Sequence, residues 1–408
     1  MWGVDKNRRL LQTIRDGKSP FYEPGLDASL RSVVGKKLRL TANLERAIKQ
    51  ADGVLICVST SISKSGSPRL NDLISVLRAV ARSLRRGQLV ILRSTVLPGT
   101  TKKLVAGVLS AHSHLKPRQE FALAYCPERL SEGNALEEIV AIPHIVSGID
   151  KASRAKAKAL FSFLGGRVVL APSVEAAELA KIFDNVYRHV NIALANELAL
   201  TSKKLGVDML EAIALSNTSP RTRIMRPGLA GGSCLTKDPI SLAYARGHWD
   251  GPSLIVDASE VNNRLVAHIL RLVKEAFHEI GKGFAGSTIT VLGLAYKSGT
   301  DDVRKTMAKP LINGLARMGG IIRAHDPYIK ARRAEEIFST KFSNRILDAA
   351  RNADCVIIAT DHAQYGRMNL KSLAEVVRMP AGFVDARSQF DPRRVSEAGF
   401  VYKGIGRP

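Results

Sequence analysis

The sequence predicts an α/β protein in which two doubly wound domains flank a helical centre built on one long helix. Three observations carry this. Short β-branched runs alternate with helical patterns toward both ends of the chain. Between them, apolar residues recur at 3.6 spacing for roughly 30 residues without Pro or interior Gly. The length of 408 residues exceeds what one core usually holds, so two or three domains are expected.

In chain order, ADGVLICVST (51–60), GQLVILRST (87–95) and EFALAYCPE (120–128) read as buried parallel strands. LNDLISVLRAVARSLRR, between the first two, has helical spacing and completes a βαβ unit. PHIVSG and GRVVLAPS follow as shorter strands. The long helix runs from about Glu175 to Leu205; such a helix links domains or forms a subunit interface. More helix extends to about Phe277. STITVLGLAYK, GGIIRAHDPY, ADCVIIATD and AGFVDARSQ then each read as a strand ending in polar residues. Ligands of such sheets sit at the carboxyl ends of the strands. The expected domains are 1–174, 175–277 and 278–408.

Composition narrows the function. Hydrophobic residues at 45% and charged residues at 24% are ordinary for a soluble globular chain. No apolar run approaches the ~20 residues needed to span a bilayer. The start MWGVDKNRRLL lacks an apolar stretch behind its basic residues, unlike a secretory signal, so the cytoplasm is the expected compartment. Cys57, Cys126, Cys234 and Cys355 lie far apart without a CxxC pair, which argues against a disulfide framework and a zinc site. The net charge of +24 favours anionic partners: nucleic acid, an anionic surface or phosphate-bearing small molecules. Aromatics are only 5% and the Lys and Arg residues are scattered, so the expectation is a generally basic surface with neither a nucleic-acid nor a membrane partner.

Six motifs carry the chemistry. YEPGL (22–26), STVLPGTT (94–101), CPERLSEGNALEEI (126–139), GGSCLTKDP (231–239), GLAYKSGTDDVR (293–304) and HDPY (325–328) occur in this order. Over almost the whole chain the sequence resembles the UDP-glucose/GDP-mannose dehydrogenase family. The resemblance implies two Rossmann-like domains and a four-electron oxidation of a sugar C6 alcohol to a carboxylate, with two NAD per turnover. It implies a UDP-sugar substrate and a homodimer or higher oligomer paired through the long helix. CPER and NTSPRTRIMRPG resemble members acting on UDP-N-acetyl-hexosamines, whose products enter polysaccharide synthesis.

The residues make sense of that reaction. A thiolate can hold the intermediate aldehyde as a thiohemiacetal and then a thioester. Cys234 follows Gly231 and Gly232, where small residues allow close approach, and it matches the family nucleophile. A lone cysteine is otherwise more often a small buried hydrophobe. Asp238 matches an aspartate that positions water. Lys181 and Asn185, four apart, share one helix face; usually that is a solvated face, but here they match the pair that stabilises charge on the C6 oxygen. Thr95 and Glu128 end predicted strands; by resemblance Thr95 orders a water and Glu128 assists thioester hydrolysis as a base. Thr60, Thr95, Glu132, Lys237 and Arg304 fall on cofactor contacts. Glu128, Lys181, Asn185, Gly231, Arg221, Lys297 and Arg387 fall on substrate contacts, and the three last cations suit a diphosphate held by the second α/β domain.

The sequence departs from the pattern at its start. A dinucleotide-binding unit opens with a strand, a G-x-G-x-x-G loop, a helix and an acidic residue ~20 positions on. Gly3-Val4-Asp5 reads as the end of the second strand, with Asp5 matching the ribose-binding acid. The strand, loop and helix before it, roughly 25 residues, are not in the sequence. That strand belongs mid-sheet, so its two neighbours are expected to carry unpaired ladder groups. The helix N-terminus that receives a pyrophosphate goes with it. Two readings stay open: a start further upstream, or a nucleotide-sugar-binding chain that makes little use of NAD. Two smaller departures are RPGLAGGSC, one residue shorter than the family's loop, and KTMAKP in place of an ES-P-type continuation.

Overall fold

Leu89–Leu92 and Ala122–Tyr125 have every residue buried, which is what strands covered on both faces require. They form the centre of the first of two units in the computed structural model, which describes residues 1–63, 65–247 and 251–407. One unit comprises Met1–Asn185 with Lys237–His248, the other Val186–Thr236 with Trp249–Pro408.

The strands of the first unit are β1 (Trp2–Val4), β2 (Arg39–Thr41), β3 (Gly53–Ile56), β4 (Ser61–Ile62), β5 (Pro68–Arg69), β6 (Leu89–Leu92), β7 (Ala122–Tyr125), β8 (His144–Gly148) and β9 (Val168–Leu170). A five-stranded sheet has the order β3-β6-β7-β8-β9, while β1 and β2 form a separate parallel pair and β4 and β5 a short antiparallel one. β8 runs antiparallel to β7, a reversal that the hydrophobic pattern does not reveal. Among the described residues no ladder joins β1 to β3. Each therefore pairs on one side only, with Val4 38% and Leu55 47% exposed. β2-β1 and β3-β6-β7 are thus separate ladders among the described residues, where the expected order 3-2-1-4-5-6 would be one sheet. The guanidinium groups of Arg39 and Arg46 each lie over the Trp2 ring, 5.6 Å from a ring centroid.

The second unit holds β10 (Thr288–Leu292), β11 (Ile321–His325), β12 (Lys341–Phe342), β13 (Cys355–Ile358), β14 (Gly382–Asp385) and β15 (Val401–Gly404). All six are parallel, in the order β12-β11-β10-β13-β14-β15, the complete doubly wound arrangement. The edge strands β12 and β15 are too short or too polar to stand out in the sequence.

The long helix spans Val174–Lys204. Ser173 Oγ accepts the Ala176 N–H at its start, and Gly206, at φ +71°, lies just past its end. The later helices Met209–Ser216, Asp238–Arg246 and Leu254–Glu279 complete the predicted helical stretch. No helix among the described residues is long and apolar enough to cross a membrane.

Candidate active site

In the first unit, five predicted residues form one hydrogen-bonded chain. Asn185 Nδ2 donates to Asp238 Oδ2 at 2.6 Å, and both side chains are buried. Lys237 Nζ lies 3.4 Å from Asp238 Oδ1 and donates to Thr60 Oγ1 at 3.0 Å and to the Thr60 carbonyl at 3.2 Å. Thr60 Oγ1 in turn donates to the Thr95 carbonyl at 2.7 Å. Thr60, Thr95, Ile182, Lys237, Asp238 and Ser241 border a small open cleft. Lys181 shares the helix face of Asn185 and is half-buried, without a side-chain partner in this chain of bonds.

A residue that sequence reasoning passed over supports this region. Glu178 on the long helix is fully buried and accepts the Gly99 N–H (2.6 Å), the Thr101 N–H (2.8 Å) and Thr101 Oγ1–H (2.6 Å). It therefore pins the P-G-T-T turn that follows Thr95. Burial pushes its carboxyl above the ordinary value, against those three donors. The motif at 22–26 has a similar explanation: Glu23 accepts the Gly133 and Ala135 N–H groups at 2.6 and 2.7 Å and so shapes the segment carrying Glu132.

Glu128 stands outside the Asn185–Asp238 network. Its Oε2 pairs with Arg93, and its Oε1 accepts the Arg129 and Leu130 N–H groups at 2.7 and 2.8 Å. Burial alone would raise its carboxyl, but Arg93 and the two backbone donors hold it below the ordinary value. Both oxygens already accept bonds, an arrangement suited to a fixed anion more than to a proton acceptor. Asp5 directly follows β1, with Oδ1 accepting the Asn7 N–H at 2.7 Å.

In the second unit, Cys234 is exposed in a turn whose shape depends on its glycines. Gly232 has φ +94°, and a Cβ there would meet the Tyr296 ring at 2.7 Å. Its N–H donates to the Lys305 carbonyl at 3.1 Å. Among the cysteines, Cys126 and Cys355 are buried, and burial pushes the Cys126 thiol up to about 12. Cys57 is raised as well, by desolvation. Arg387, predicted to contact substrate, clasps Asp361 (Nε to Oδ1, 3.1 Å) and the Leu229 carbonyl (3.3 Å), so it shapes the loop leading to Cys234. The Arg304 guanidinium folds back on Asp302 in a bidentate pair at 2.8–3.0 Å. Arg221 is exposed, and Lys297 is half-buried in the loop after β10.

One complete doubly wound sheet, a second, mostly parallel α/β sheet and a helical centre are the architecture of dinucleotide-linked enzymes. The chain belongs to the UDP-glucose/GDP-mannose dehydrogenase family: residues 1–164 match its NAD binding domain, 175–264 its central domain and 290–392 its UDP binding domain. It is 34% identical to the UDP-N-acetyl-D-mannosamine dehydrogenase of Pyrococcus horikoshii, covering 99% of this chain and 93% of that one. The solved structure of a P. horikoshii UDP-D-ManNAc dehydrogenase superposes with a TM-score of 0.88 over 100% of this chain and 93% of the other. An NDP-N-acetyl-D-galactosaminuronic acid dehydrogenase of Ralstonia nicotianae is 31% identical over 97% of this chain and 91% of its own length.

The protein is thus an NAD-dependent nucleotide-sugar dehydrogenase, and NAD is its cofactor. Asp5 follows β1, at the carboxyl end where a ribose-binding acid would stand, and Thr60, Thr95 and Lys237 line the cleft with polar groups, so the chemistry of these residues is compatible with that cofactor. The one G-x-G-x-x-G run, Gly281 to Gly286, precedes strand β10 rather than following a strand into a helix.

Proposed function

We propose that this enzyme oxidises the C6 alcohol of a UDP-N-acetyl-hexosamine to the uronate. The chain of bonds from Asn185 through Asp238 and Lys237 to Thr60 carries the reading, because it aligns an amide, a carboxylate and a cation beside one cleft. NAD, when bound, accepts the hydride of each of the two oxidations. Removal of the hydroxyl proton and the C6 hydride yields the aldehyde, and Lys181 with Asn185 stabilises the charge that develops on its oxygen. The Cys234 thiolate adds to the aldehyde carbon to give a thiohemiacetal, and the second hydride loss leaves a thioester. Water positioned by Asp238 and Thr95 cleaves the C–S bond, releasing the carboxylate and the thiol. Lys297, Arg387 and Arg221 hold the UDP end, the first directly and the second through the loop it clasps. On this reading the reaction runs in the cytoplasm and its product enters polysaccharide synthesis.

A homodimer fits the long helix, where Phe183, Tyr187 and Leu194 form an exposed apolar face, 52%, 54% and 46% accessible. Light scattering of the purified chain tests it.

The substrate test compares UDP-N-acetylmannosamine, UDP-N-acetylglucosamine and UDP-glucose as substrates, counting NADH per sugar. Two NADH per N-acetyl-hexosamine and a higher kcat/KM than for UDP-glucose are expected. Cys234→Ala should abolish acid formation and leave UDP-sugar affinity within about twofold, because the thiol acts in chemistry rather than recognition. Undiminished turnover in that variant would remove the nucleophile from the reading.

A further inference from the structure

The six-stranded sheet reverses its winding between β10 and β13, the place where ligand crevices open beyond the carboxyl ends of the strands. Three segments meet there: the Gly293–Gly299 loop after β10, Asp326 after β11 and His362 after β13. Asp326 Oδ2 accepts the Leu294 N–H at 2.7 Å and the Ala295 N–H at 3.1 Å, and it lies 3.1 Å from His362 Nε2. At the far end of the same loop, the Gly299 N–H points at His362 Nδ1, 3.2 Å away. Thr360 Oγ1 adds a bond to the Ala295 carbonyl at 2.7 Å. The His362 and Asp326 side chains are fully buried, and the Tyr328 ring lies 5.0 Å from the imidazole.

A backbone N–H can only donate, so Nδ1 must present its lone pair to Gly299. The ring proton then sits on Nε2 and donates to Asp326. One neutral imidazole thus ties both ends of a loop whose middle carries Lys297. Gly299 itself has φ +72°, so the backbone turns at the residue that the histidine holds.

We propose that His362 is a positioning residue for nucleotide binding: its Nδ1 holds the Gly293–Gly299 loop, and Lys297 with it, in the shape that receives the UDP diphosphate. The proposal rests on the UDP-sugar reading above. Asn and Gln separate the two bonds of the ring. An Asn side chain places an oxygen where Nδ1 stands, and a Gln side chain places an amide nitrogen near Nε2 but leaves the Gly299 N–H without an acceptor.

UDP binding to the full chain is measured by calorimetry for the wild type, His362→Asn and His362→Gln, alongside kcat and KM for the nucleotide sugar. Expected is UDP affinity within about twofold of wild type for His362→Asn. For His362→Gln it should be about tenfold weaker, with a matching rise in KM and kcat nearly unchanged. Wild-type affinity in His362→Gln, or equal losses in both variants, overturns the proposal. A variant that fails to fold, seen in its thermal unfolding, also overturns it by assigning the residue to architecture alone. A wild-type chain that does not bind UDP would instead remove the UDP-sugar reading itself.

Discussion

Asn185 and Asp238 show how little of a site a residue name conveys. The spacing of Lys181 and Asn185 places both on one helix face, and that much is legible from the sequence. The partner of Asn185 is 53 residues away, and only the fold brings Asp238 to it. Glu128 shows the reverse: its motif marks it as a base, yet Arg93 and two N–H groups occupy it. The consequence is a pH-dependent contribution to stability. A carboxylate held below its unfolded value stabilises the fold above that value, about pH 4.3 for Glu, and loses the effect as pH falls through the folded value. Glu128→Gln should therefore lower the unfolding midpoint at pH 7, and its difference from wild type should shrink as pH falls below about 4.3. The side chain is 48% exposed, so solvent screening keeps the effect modest. A difference that persists unchanged into acid would mean that the ion pair contributes nothing.

At the scale of elements, the pattern of apolar residues locates the strands because buried parallel strands have few alternatives. Cys355–Ile358 and Gly382–Asp385 are buried throughout and read directly. The antiparallel β8 was not legible, since hydrophobic pattern is indifferent to strand direction. Nor were the fastenings between elements, such as Glu178, whose charge in an otherwise helical pattern reads as a solvated position. Its three donors make it a strong point of the first unit. Glu178→Ala leaves those donors without the carboxylate and should cost about 3 kcal/mol in urea unfolding, from 1–3 kcal/mol for each buried group left unpaired less what water recovers. Glu178→Gln keeps an oxygen for Thr101 and should cost about 1 kcal/mol. Because burial raises the native carboxyl, wild-type stability should also fall as pH rises from the ordinary carboxylate value through the raised one, and Glu178→Gln should not share that fall. Equal losses in Ala and Gln would show that the carboxylate, and not its hydrogen bonds, sustains the turn.

At the scale of the whole molecule, the two units differ in how completely their sheets close. β10 and β13 are buried at every residue and paired on both sides, within a core that draws in the Leu254–Glu279 helix. β1 and β3 each leave one ladder edge unpaired, and Leu55 on β3 is half exposed. Amide exchange follows local opening, which is easiest where backbone groups face solvent and few apolar contacts must break. The amides of β1, β2 and β3 should therefore exchange well before those of β10 and β13, with β6 and β7 between them. UDP at a hundred times its Kd should add about 2.7 kcal/mol of protection to any opening that destroys its site. If the second unit holds the UDP end, that gain appears in β10, β11 and β13 and is small in β1 and β3. Equal gain in both sets would mean that the units open as one cooperative body, and equal exchange without ligand would mean that the unpaired edges are closed in solution by something the ladders do not record.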